Sequence, residues 1–146
     1  MAEIRTIPKD VEEQIIELCN SGYELLAISE TTSPSDVVAA ITEFVRETKD
    51  RGEKLNDDQA YALGALLGHQ YVEGLKWHWA SVVWDSDEEN GAIGVLNNDN
   101  SHFNNPIGWV CNIIDSDGGV PFMLSYNMIL AGQVPPSSPN KASGLY

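Results

Sequence analysis

His69, His78 and His102 are the side chains best suited to proton or metal chemistry, and each has a candidate companion nearby. His69 and Glu73 are four residues apart, so on a helix they share one face and can hold one ion. Zinc needs three or four ligands, so two residues at this spacing read first as a partly exposed polar pair. His102 follows Asp99 by three residues, and the two offer an acid–base couple. Both fall in an Asn-rich turn, which lacks the packed support such geometry requires. His78 stands between Trp77 and Trp79 in a strand-like run, and alternation turns it to the face opposite both rings. The run from Asp85 to Gly91 (Asp-Ser-Asp-Glu-Glu-Asn-Gly) is similar to a calcium loop. A calcium loop needs Gly at its sixth and Glu at its twelfth position, and here those places hold Asn90 and Leu96. The phosphate-binding, dinucleotide-binding, zinc-protease and serine-hydrolase frames are all missing. The expectation is a protein with no catalytic residue, no metal and no cofactor. A small enzyme built on His69, Glu73, His102 or Asp99 is the alternative.

Charge is the stronger signal. The chain of 146 residues carries a net charge of −14. Residues 77–140 contain no Lys or Arg, yet hold Asp85, Asp87, Glu88, Glu89, Asp99, Asp115 and Asp117. Such a field repels nucleic acid, whose phosphates need Lys and Arg, and it repels anionic membrane surfaces. It attracts basic proteins and speeds their encounter. The plainer explanation is solubility, which acidic surfaces also provide. The expected partner is a basic protein, with no nucleic acid and no membrane involved. Asp85, Asp87, Glu88 and Glu89 concentrate at one turn and are the first candidates for its contacts, with Asp115 and Asp117 next. Of the four tryptophans, Trp77, Trp79 and Trp109 read mainly as core. Trp84 points away from Trp77 and Trp79 and adjoins the acidic turn, which makes it the best aromatic anchor for an interface.

These residues must be positioned by one domain, because 146 residues is a common single-domain length. The start has no basic region followed by an apolar run, and no stretch is apolar enough to span a bilayer. A cytoplasmic protein is expected, with Cys19 and Cys111 reduced and acting as small hydrophobes. A first helix is predicted from Pro8 to Gly22, with Val11, Ile15, Leu18 and Cys19 inward. Residues 23–30 suit either a short helix or a strand. Ser33 and Pro34 open a second helix that Gly52 ends, and Arg46, Lys49, Arg51 and Lys54 cluster at its close. Asn56 and Gln59 form a capping box for a third helix reaching Leu75. Along it Ala60, Gly64 and Gly68 recur every four residues. Glycine in a helix costs about 1 kcal/mol against alanine, so this stripe predicts close packing on a helix or sheet. Residues 77–84, 92–96 and 101–103 read as an antiparallel meander with a hairpin turn at Asn90-Gly91. Asn105-Pro106 and Pro121 open two short helices, the second ending at Gly132. The expected fold is α+β: N-terminal helices packed on a small antiparallel β-meander, with short C-terminal helices. The domain is read as residues 1–132, and residues 133–146 as a flexible Pro/Ser-rich tail.

Residues 56–130 also carry a resemblance. Leu63-Gly64-Ala65-Leu66-Leu67-Gly68-His69, then Gly74-Leu75-Lys76-Trp77-His78-Trp79, then a strand reaching Asp85, then Asn105-Pro106, form its pattern. It resembles a group of small bacterial α+β domains in which a Leu-Gly helix precedes a Gly-x-x-Trp strand and a Pro-led helix. Similar acidic proteins act as immunity proteins beside secreted antibacterial toxins. The resemblance implies an inhibitor in the bacterial cytosol that occludes the active cleft of a cognate toxin in interbacterial competition. It names neither the toxin nor any catalytic residue. A secretion chaperone or adaptor, which binds an effector without blocking it, is the alternative within the same class.

Overall fold

The computed structural model describes residues 2–145. It is an α+β fold in the order β1 (Ala2–Arg5), α1 (Lys9–Leu26), α2 (Pro34–Asp50), α3 (Asp57–Leu75), β2 (His78–Trp84), β3 (Ala92–Leu96), β4 (His102–Asn104), α4 (Pro106–Asp115), α5 (Phe122–Leu130) and β5 (Ser143–Gly144). Among the described residues, no helix is long and apolar enough to cross a membrane.

Helix α3 is the hub, touching α1, α2, α4, α5 and strands β2 and β3. It starts as its capping box dictates: Asn56 Oδ1 accepts from the Gln59 N–H at 2.8 Å, and Gln59 Oε1 accepts from the Asn56 N–H at 3.1 Å. Leu63, Leu66, Leu67 and Tyr71 are fully buried, and residues 62–68 are buried on every face, while Asp57, Asp58, Tyr61 and Glu73 stay exposed. The small-residue stripe receives two neighbours. A Cβ on Gly64 would overlap the backbone of Ile107 in α4, and one on Gly68 would lie 2.5 Å from the Trp79 ring. The same stripe therefore seats both a helix and the sheet.

Gly22 does not end α1, which runs on to Leu26 and closes at Ala27 in the left-handed conformation. Gly22 is inside the helix because a Cβ there would sit 2.9 Å from the Ala62 carbonyl of α3. Close approach, not termination, accounts for this glycine. Helix α2 begins as expected, with Ser33 accepting from the Asp36 N–H, and buries Val37, Val38, Ile41 and Val45. The basic cluster at its close has a structural use. Lys49 Nζ donates to the carbonyls of Ile113, Ser116 and Gly118 at 2.7–3.0 Å, closing the C-terminal end of α4.

The sheet has five strands in the order β1-β2-β3-β4-β5. The meander β2-β3-β4 is antiparallel, and β1 adds antiparallel to β2, with Ile4 opposite Val82. Strand β5 adds in parallel to β4. One face of the sheet carries Trp79 and Val95 into the helical core. The other carries Ala80, Val82, Leu96 and Phe103 into a second cluster closed by Ala142.

That second cluster corrects the reading of the C-terminal segment as a flexible tail from residue 133. Residues 133–145 are tied to β4 and its turn: the Ala142, Ser143 and Leu145 N–H groups donate to the carbonyls of Asn100, Ser101 and Phe103. Asn104 Nδ2 donates to the Leu145 carbonyl at 2.6 Å, and Ser137 Oγ donates to the Ser101 carbonyl at 2.8 Å. Ala142 is 1% exposed. A Pro/Ser-rich segment has no periodic pattern of its own, but its backbone groups can complete a sheet edge, and here they do. Tyr146 lies outside the described residues.

Candidate functional site

The acidic turn joins β2 to β3 and is more ordered than a solvated tip. Asp85 (φ 52°) and Ser86 (φ 62°) are both left-handed, and the Asp87 N–H donates to the Trp84 carbonyl at 2.9 Å. This is a mirror-image turn, which short polar side chains tolerate, and it lies within a longer connection, since the β2–β3 pairing closes at Val82 and Ala92. The turn expected at Asn90-Gly91 is therefore displaced. Gly91 is extended (φ −65°, ψ 156°), and Glu88–Asn90 form one tight helical turn in which the Asn90 N–H donates to the Asp87 carbonyl at 3.2 Å. Asn-Gly signals a turn only if the chain has not already reversed, and here it reverses five residues earlier.

Strand β1 clasps this turn. Arg5 donates to both carboxylate oxygens of Glu88, at 2.8 and 3.2 Å, and to Glu3 at 2.8 Å. Hydrogen bonds and positive charge from Arg5 hold the Glu88 and Glu3 carboxyls below the usual glutamate range. Asp87 Oδ2 accepts from Asn90 Nδ2 at 2.5 Å. Asp85, Asp87, Glu88 and Glu89 are all exposed.

Trp84 is half-buried and takes part in internal contacts. Its indole N–H donates to the Ala142 carbonyl at 3.2 Å, and its ring meets Phe103 edge to face with centroids 5.2 Å apart. It thereby anchors the C-terminal segment beside the acidic turn. An open hollow of about 380 Å³ beside it is lined by Ala2, Trp84, Asp85, Ser138, Asn140 and Lys141. Asp115 and Asp117 stand elsewhere, on the turn closing α4, where Lys54 Nζ pairs with Asp115 at 2.6 Å. The structure thus groups Trp84, Asp85, Asp87, Glu88 and Glu89, and leaves Asp115 and Asp117 on a separate element.

The histidines are divided among structural tasks. His69 Nε2 lies 3.8 Å from Glu73 Oε1, and among the described residues no third ligand joins them. His78 is exposed and bonded to Asn100 Oδ1 at 2.8 Å. His102 is buried, and its ring nitrogens turn to Ser101 Oγ at 3.0 Å and to the Pro135 carbonyl at 2.6 Å, not to Asp99. A carbonyl can only accept, so Nε2 carries the proton and His102 pins residue 135. Asp99 is occupied by Ser101, whose side chain and N–H hold its carboxyl below the usual aspartate range. Cys19 and Cys111 are free thiols. Burial pushes the Cys19 thiol up to about 12, which leaves it protonated and inert.

The sequence reading missed a second feature, a cleft of about 300 Å³ between α1, α3 and the sheet. Ile7, Ile15, Ile16 and Val72 give it aliphatic walls and Trp79 an aromatic one. Its one sequence signal is Ile16, an isoleucine outside the apolar stripe of α1, which is 55% exposed.

Together these features define an α+β domain that presents an ordered acidic hairpin and, apart from it, an apolar cleft. Family models, curated proteins and solved structures were each compared with the chain, and none matches it.

Proposed function

We propose that this chain binds a basic protein through its acidic hairpin and inhibits it, as an immunity-type protein does for a cognate toxin in the bacterial cytosol. The observation that carries the reading is the hairpin's construction. Four exposed carboxylates are displayed on a turn ordered by its own backbone bonds and by Arg5. Binding loses less conformational entropy when the contact residues are already ordered. The surrounding stretch, residues 77–140, supplies no Lys or Arg to neutralise the field, so long-range attraction guides a cationic cleft toward the tip. Occlusion of that cleft by the tip is the inhibitory step.

The test is capture of a partner from the native host with the full chain as bait. Two variants serve as controls. Asp85, Asp87, Glu88, Glu89→Ala removes the tip's charge. Asp87→Asn with Glu89→Gln halves it and leaves the Arg5–Glu88 clasp intact. The expected outcome is one stoichiometric basic protein, toxic alone and silent in complex, whose association rate falls steeply with salt and with each variant. A partner captured equally by both variants, or fully active in the complex, overturns the proposal.

A further inference from the structure

Helix α5 has one face in the core and an apolar face in solvent. Phe122 and Tyr126 are buried. Leu124, Asn127, Met128 and, just past the helix end, Ala131 are all exposed. Spacings of three, four and seven residues place these four on one stripe. Leu124 is 65% exposed and Met128 42%, and Leu130 and Val134 leave further apolar surface open nearby in the chain. Among the described residues, four of the six large exposed hydrophobic side chains therefore belong to α5 and the segment that follows it. The charge of this segment is equally distinctive. Residues 118–140 hold no Asp, Glu, Lys, Arg or His, so the whole net charge of −14 lies outside them.

Charge, amide chemistry and symmetry together say what covers this face. A basic partner finds no carboxylate on α5, whereas a second copy, repelled by the negative field elsewhere, finds no like charge on it. Asn127 lies in the middle of the stripe, and its side-chain amide has no partner among the described residues. An amide is donor and acceptor at once, so a second amide satisfies it, while hydrocarbon leaves it unpaired at a cost. The stripe also matches itself when reversed. A two-fold axis crossing α5 between residues 127 and 128 brings Leu124 over the small Ala131 of the other antiparallel copy. The same axis sets the two Asn127 side chains together on one flank and the two Met128 side chains on the other. We propose that α5 pairs antiparallel with α5 of a second copy of this chain, giving a two-fold dimer with Asn127 and Met128 at its axis. Nine helical residues cover about 14 Å by about 10 Å, well short of the roughly 800 Å² per partner in a stable complex. The dimer is therefore weak and forms at high concentration. This surface is separate from the acidic hairpin, and the pairing stands whether or not the hairpin binds a protein.

The experiment is sedimentation equilibrium of the full chain from about 10 μM to about 1 mM, in about 50 mM and about 500 mM sodium chloride. Salt is expected to strengthen association at least about fivefold, because it screens the repulsion between two acidic copies. That is opposite in sign to its effect on a basic partner at the hairpin. Leu124→Gln with Met128→Gln should remove the dimer and leave the melting temperature of the dilute protein unchanged, since both side chains are exposed. Asn127→Lys separates position from total charge. It reduces the net negative charge by one, which would tighten any association limited by overall repulsion. At the axis it sets two ammonium groups together, so it should weaken the dimer at least about tenfold. A chain that stays monomeric throughout, or a dimer that either variant leaves intact, overturns the proposal. So does a monomeric chain that binds phosphatidylcholine vesicles through Leu124 and Met128, since lipid would then be the occupant of this face.

Discussion

Gly64→Ala tests whether the small-residue stripe of α3 exists for packing. At an unobstructed helical position, alanine for glycine stabilises by about 1 kcal/mol. Here the new Cβ would lie 3.0 Å from the Ile107 backbone nitrogen and closer still to its Cα. Ordinary contact needs about 3.5–4.0 Å, so α4 must retreat by roughly 1 Å. Backbone cannot rotate aside as a side chain can, which places the cost at the upper end of overpacking, about 3 kcal/mol. The net expectation is a loss of about 2 kcal/mol, which for a chain of this size lowers Tm by about 4–8 °C. Urea denaturation followed by circular dichroism measures it. Gly118→Ala is the control: nothing lies within 4 Å of its Cβ position, and its stability should stay within about 0.5 kcal/mol of the parent. Gly68→Ala should fall between the two, because its main obstacle is the ring of Trp79, which is only half-buried. A Gly64→Ala protein more stable than the parent by about 1 kcal/mol would refute the reasoning, since that is the gain of a helix with open space beside it.

Other consequences follow from the same contacts. Trp84→Phe keeps the ring against Phe103 and removes the donor to the Ala142 carbonyl. It should cost about 1 kcal/mol and speed proteolysis within residues 133–145, and unchanged cleavage there would show that Trp84 does not hold the segment. Glu88 has a carboxyl pKa lowered from the ordinary 4.5 by Arg5. Its clasp therefore contributes above that value and is lost as pH falls through the lowered folded value. Arg5→Gln should raise the Glu88 midpoint in an NMR titration, and an unmoved midpoint would count against the clasp. Cys19, with its thiol pushed up to about 12, should react with a disulfide reagent only on unfolding, while the half-buried Cys111 reacts in the native protein. Native labelling of Cys19 at the Cys111 rate would contradict its burial.

The sequence alone determined what depends on neighbours within a turn or two. Asn56, Ser33 and Asn105 cap their helices because a short side-chain oxygen reaches an N–H three residues on. The meander was legible from alternation, and the small-residue stripe announced close packing without naming its neighbours. Where a residue's meaning depended on a distant segment, the sequence misled. Gly22 reads as a helix end, yet it is a contact with α3. Asn90-Gly91 reads as the turn, yet Asp85 and Ser86 take it. Residues 133–145 read as loose because backbone hydrogen bonds to β4 leave no mark on composition. Of the candidate site, the cluster of acids was visible in the chain. That Arg5 holds it, that Trp84 is tied to Ala142, and that Asp115 and Asp117 stand apart from it were settled by packing. The cleft is the clearest case: Ile7, Ile16 and Trp79 lie on different stretches of the chain, and only the assembly of α1 and α3 against the sheet brings them to one cavity.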